Sequence, residues 1–148
     1  MGHVGKAIAA VSTIACFGAA SAGAAVRHGH TARATNFTVV ETTTSYKFPP
    51  GLPEGGVVVI NTHGVKGGRE INRSLLTCIV MNRRTGECFG TTITNRGQID
   101  TQGPLDLAAP FGQLAITGGT GRYTGARGYI IRTKITQTKV RESFHFLH

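Results

Sequence analysis

Residues 113–130 read QLAITGGTGRYTGARGYI, and this stretch decides the fold. A strand-like run, Leu114 to Thr117, meets Gly118, Gly119, Thr120 and Gly121. After Arg122, Tyr123 and Thr124 come Gly125, Ala126, Arg127, Gly128 and a second β-branched run. Glycines so placed suit a fixed turn that needs positive φ and close backbone contacts. Gly-rich turns also hold phosphates, but the spacing here excludes it. A dinucleotide pattern counted from Gly119 and Gly121 wants glycine where Thr124 stands, and no Gly-Lys-Ser/Thr ending follows. Tyr129, Ile130 and Ile131 come next rather than a helical period. The stretch therefore predicts a structural turn between two sheet strands, with Gly118, Gly119, Gly121, Gly125 and Gly128 as its glycines.

Outward from that turn, the chemistry stays β. Runs rich in Val, Ile, Thr, Phe and Tyr fall at 37–44, 57–62, 74–81, 88–94, 98–102, 113–117, 128–136 and 140–147. Gly and Pro clusters separate them, and no segment sustains a helical period over three turns. Eight strands is the number that closes a small barrel, so the expected fold is all-β, an eight-stranded antiparallel barrel. Alternation puts Phe37, Val39, Glu41 and Thr43 on one face, and Val140, Glu142, Phe144 and Phe146 on another. A barrel this small either fills with side chains or holds one small ligand. Glu41 stands among apolar neighbours, where desolvation would suit it to acid/base work; a solvated glutamate at the barrel mouth fits the same pattern. Asp100 and Gln102 alternate on one strand and are candidates to point inward. Asn61, His63, Arg122 and Tyr123 are the other polar candidates.

The N-terminus reads as an export signal. Lys6 precedes an apolar run at 7–20, and Ala20-Ser21-Ala22 and Ala22-Gly23-Ala24 both offer small-residue cleavage sites. The run is too short to span a membrane as a helix, so no transmembrane segment is expected. The expected organisation is a signal over 1–24, a disordered tail over 25–35 and one domain over 36–148. Removing 1–24 takes away Lys6 and leaves 15 Lys+Arg against 7 Asp+Glu, a formal charge of +8. These cations are scattered and Trp is absent, which reads as a solvated basic surface rather than a nucleic-acid interface. Cys16 leaves with the signal, and Cys78 and Cys88 remain. A hairpin centred on Arg83 sets them opposite each other, which predicts a disulfide in an oxidising compartment. Two lone cysteines without a nearby histidine make a poor metal site, and no other metal set stands out.

The segments Gln102-Gly103-Pro104, LAITGGTG (114–121) and GARG (125–128) together resemble the allene oxide cyclase/dirigent superfamily of small β-barrels. The closest likeness is to bacterial allene oxide cyclase barrel-like proteins, which carry GGTGRY and GARG. The resemblance implies a homotrimer. It implies a cofactor-free pocket for a small apolar or phenolic molecule, whose cyclisation or coupling the barrel steers. It sets Glu41 on the first-strand glutamate of the cyclases, with Thr43 in place of a water-holding asparagine. It sets Cys78 on a cavity-lining cysteine. A non-catalytic ligand-binding or envelope barrel carries the same sequence marks, since one fold hosts many functions.

Overall fold

The computed structural model describes residues 34–147. The expected export signal and all but the last two residues of the expected tail lie outside the described residues.

Eight strands follow one another: β1 (Phe37–Lys47), β2 (Val57–Lys66), β3 (Arg69–Val80), β4 (Thr85–Thr94), β5 (Gly97–Asp106), β6 (Phe111–Gly119), β7 (Arg127–Lys134) and β8 (Lys139–Leu147). Each pairs antiparallel with the next, and β8 pairs back on β1 to close the barrel. Closure leaves no sheet edge exposed. Several strands run longer than the sequence runs suggested, because ladder pairing carries them through polar residues. The Gln102-Gly103-Pro104 segment, where the sequence run at 98–102 was expected to end, lies inside β5. There Gly103 pairs with Cys88 and Pro104 with Glu87 on β4, while the β5–β6 ladder covers only Ile99 to Gln102. Pro104 thus stands where one side of its strand has no ladder, so its missing N–H breaks nothing.

Turns gather at two ends. The β2–β3, β4–β5 and β6–β7 connections share one end with the start of β1 and the finish of β8. The other four connections share the opposite end. The first end is closed by aromatic packing: Phe37 stacks on Phe144 at 4.4 Å between ring centroids, and Tyr123 stacks on Phe146 at 5.7 Å. Ile99, Ile116 and Ile130 fill the space around them. The glycine turn seals this end against the β4–β5 hairpin. Thr120 N–H donates to the Gln98 carbonyl at 3.0 Å, and Arg122 N–H to the Arg96 carbonyl at 2.9 Å. Gly121 has φ 59°, and a Cβ there would also meet the Arg96 carbonyl oxygen. Gly119 has ordinary φ but no room, since its Cβ would strike the Gln98 carbonyl oxygen.

The turn is therefore structural, as the spacing predicted, with one correction. Gly121, Gly125 and Gly128 occupy positive φ, whereas Gly118 does not, and the nearest atom to a Cβ at Gly118 would be 4.0 Å away. Gly118 is the one glycine of the stretch that the backbone does not demand.

A pocket above a buried polar layer

Between the closed end and the open end, the inward positions turn polar. Glu41, Thr62, Asn72, Ser74, Thr92, Thr101 and Glu142 are all buried. Register explains the grouping. Thr62 pairs with Ser74 and Ser74 with Thr92, so three hydroxyls follow one another around the wall. Glu41 extends into this layer from β1. Its carboxyl accepts hydrogen bonds from the Thr62 hydroxyl, the Asn72 amide and, at 2.7 Å, the Ser74 hydroxyl. Ser74 and Thr92 share a further hydrogen bond at 3.0 Å. An ionised carboxylate is acceptor-only, and three converging donors suit it.

A second carboxyl stands in the same layer. Barrel closure pairs Val39 of β1 with Glu142 of β8, and Glu142 with Arg132 of β7. Arg132 Nε lies 2.6 Å from Glu142 Oε1. The contact is an ion pair by proximity, because the Nε–H does not align as a hydrogen bond. Glu142 Oε2 has no hydrogen-bond partner among the described residues. Burial pushes the Glu142 carboxyl up to about 7; Arg132 opposes the rise and the Glu41 charge adds to it.

Above Arg132 the barrel opens into a cavity of about 430 Å³. Its apolar walls include Ile60, Leu76, Leu105, Leu107, Phe111 and Val140. Its polar lining includes Thr43, Asp106, Arg132, Lys134 and Lys139. Asp106 is held by Arg84 at 2.5 Å and accepts the Ala108 N–H at 2.9 Å. That N–H, and then the Arg84 guanidinium, hold the Asp106 carboxyl below its usual range. A void of about 10 Å³, lined by Ser74, Thr92, Thr101, Arg132 and Glu142 among others, lies deeper in the barrel. Ile60, Leu76 and Arg132 line both spaces and form the partition between them.

The residues singled out from sequence scatter across this plan. Glu41 is inside, but it is fully buried and does not line the pocket; Thr43, two residues nearer the mouth on the same face, does. Alternation set its face correctly, but depth depends on where the barrel opens. Cys78 does line the pocket, and it is bonded to Cys88 across the β3–β4 hairpin, which makes it a staple.

Asn61, Asp100 and Gln102 point outward, contrary to the pocket role expected of them. Asn61 donates to Ser45 at 2.8 Å, Asp100 accepts from Thr91 at 3.1 Å, and Gln102 is exposed. On β5 the inward parity belongs to Ile99 and Thr101, and a single isoleucine was too little to mark it. Tyr123 is in the core of the closed end, away from the pocket. His63 sits on the outward parity of β2 between buried Thr62 and inward Gly64, and Arg122 lies in the short turn Gly121–Tyr123.

Arg132 and Glu142 are residues of this site that sequence reasoning missed. The signal was there: Glu142 alternates with Val140, Phe144 and Phe146 just as Glu41 does with Phe37 and Val39.

The sequence profile of the allene oxide cyclase barrel-like domain matches residues 36–147. Among curated proteins no sequence matches. Among solved structures, a pyocyanin demethylase superposes with TM-score 0.69 at 16% identity, over 76% of this chain and 100% of that one. A pterocarpan synthase dirigent protein gives 0.63 at 16% identity, over 77% of this chain and 87% of that one. A heme-binding cyclase of neoabyssomicin biosynthesis gives 0.61 at 19% identity, over 76% and 63%. At such identities the likeness is one of fold.

Proposed function

Since the chain belongs to the allene oxide cyclase barrel-like family, we propose that its open-end pocket binds one small apolar or phenolic molecule and steers that molecule's cyclisation or coupling. The observation that carries this reading is the cavity of about 430 Å³ with apolar walls and a charged floor. A pocket of that size, with apolar walls and polar groups to orient its occupant, is what a small ligand needs. Its contribution to a reaction is orientation and exclusion of water. The two buried carboxyls handle the proton in this reading. Glu41 is fixed by three donors and Glu142 is poised near neutrality, where acid/base exchange is most effective. The named substrates of the neighbours in fold are likewise small molecules, which supports the reading.

A specific observation favours a second reading, a barrel that binds without catalysis. Glu41 and Glu142 are 0% and 3% exposed, so neither carboxyl presents itself to the pocket. Native mass spectrometry of protein purified from its own host tests both. The binding reading expects a retained small molecule that Leu76→Trp expels. The steering reading expects in addition that a supplied ligand is converted, and that Glu41→Gln and Glu142→Gln each slow conversion at least about tenfold. An empty pocket overturns both readings, and a retained but unchanged ligand leaves binding alone.

Export and trimer formation belong to the same proposal. The Cys78–Cys88 disulfide suits an oxidising compartment. The outer face of β3 and β4 exposes Leu75, Ile79, Phe89 and Ile93, each a little under half, which suits burial against a second copy. N-terminal sequencing of exported protein reads the first, and sedimentation of Leu75→Glu, expected to be monomeric, reads the second.

A further inference from the structure

Arg132 is the most unusual group in the barrel. Its side chain is 13% exposed and forms the pocket floor. Nε faces Glu142, but no hydrogen bond to a described residue engages the terminal nitrogens. A guanidinium fork that lines the cavity, with no hydrogen bond to a described residue at its terminal nitrogens, matches the geometry of an oxyanion. The wall around it is positive as well. Lys134 and Lys139 line the same cavity and form no ion pair among the described residues. The one acid of the lining, Asp106, is already engaged by Arg84.

We infer that the pocket selects an apolar molecule carrying one oxyanion, which docks on the terminal nitrogens of Arg132, and that its arrival transfers a proton from solvent to Glu142. This rests on the small-molecule reading of the cavity and names the chemical class that the cavity takes. The proton follows from charge counting. Among the described residues Arg132 of β7 is the only cation in the polar layer; it faces Glu142 of β8, with Glu41 entering from β1. From β2 and β3 the facing groups are the Thr62 and Ser74 hydroxyls and the Asn72 amide; from β4 and β5 they are the Thr92 and Thr101 hydroxyls. None of these carries charge. Lys134 and Lys139 stand nearer the mouth. A bound anion would make a third negative charge beside one arginine. The layer relieves this most directly by protonating Glu142, the carboxyl that lacks donors. Glu41 already accepts three hydrogen bonds. Protonation also releases Arg132 from Glu142 and frees its whole fork for the ligand.

The test uses two probes with the same ring system. Anilinonaphthalene sulfonate is charged at every working pH, and phenylnaphthylamine lacks the sulfonate. Fluorescence titration of the folded mature protein should show the sulfonate binding at least about tenfold more tightly at about pH 5.5 than at about pH 8.5, while the neutral probe changes less than about twofold. Arg132→Met should weaken the sulfonate about tenfold or more and leave the neutral probe unchanged. Because that variant strands Glu142, the double variant Arg132→Met/Glu142→Gln is measured beside it, with melting curves for both. Glu142→Gln alone should bind the sulfonate at about pH 8.5 as tightly as the parent does at about pH 5.5. His63 and His145 face outward and do not line the cavity. A parent affinity for the sulfonate that is flat with pH overturns the proton transfer. Equal losses for both probes overturn the anion receptor. Failure of the parent to bind either probe overturns the pocket reading as well.

Discussion

At its closed end the barrel stacks Phe37 on Phe144 and Tyr123 on Phe146, and it locks a glycine turn onto the neighbouring hairpin. At its open end Phe111 is 69% exposed and lines a cavity. The same strands run through both ends, with the same alternation. The difference lies in what the inward positions carry. Large aromatics converge at one end, whereas at the other Ile60, Leu76, Leu105 and Leu107 stand around a cavity. Between them a polar layer of two carboxyls and an arginine divides a packed region from an open one. The comparison teaches that a small barrel can hold buried charge only where an apolar plug already supplies the stability to offset desolvation.

The comparison is easiest to break at Phe144, which is fully buried. Phe144→Ala should cost about 3–5 kcal/mol in urea unfolding, because its cavity lies amid close-packed rings. A loss under about 1 kcal/mol would mean that the closed end is no anchor. Gly121→Val comes next, at about 3 kcal/mol, from positive φ together with contact against the Arg96 carbonyl oxygen. Gly118→Val, in the same turn, should shift the melting temperature little, and equal effects would refute the division of roles among these glycines.

Glu142 sharpens the comparison from the middle layer. Its carboxyl goes from an ordinary 4.5 to about 7 on folding. Between those values the folded protein keeps a proton that the unfolded chain has released. Its contribution to stability is therefore full below about pH 4.5 and is lost as pH rises to about 7, by on the order of 3 kcal/mol at most. Glu142→Gln should flatten stability across that window in urea titrations, and an unaltered slope would place the titration elsewhere. The smallest expected effect is at the open end. Phe111→Ala should change stability by less than about 0.5 kcal/mol while weakening any pocket ligand. A large loss of stability there would erase the distinction between the ends.

Much of the fold was legible because it is local. Hairpin arithmetic set Cys78 opposite Cys88, and the structure pairs them. The same arithmetic about Gln137 sets Arg132 opposite Glu142. Period-two alternation put Glu41 on the inner face. It failed for Asp100 and Gln102, whose strand carries too few apolar residues to declare its inner side. It could not say that Glu41 lies beneath the pocket floor, because depth along a strand has no periodic signature.

By itself, then, the chain determined its strands, the parity of the strongly alternating ones, its hairpin partners and the need for glycine at the closed turn. These follow from φ/ψ sterics and from contacts between residues close in sequence. Only the tertiary structure decided that β1 closes on β8, which brings Glu41 into the layer of Glu142 and Arg132. It also decided which end fills and which stays open. Those outcomes depend on the summed volume and charge of inward side chains from all eight strands, and no local segment encodes that sum.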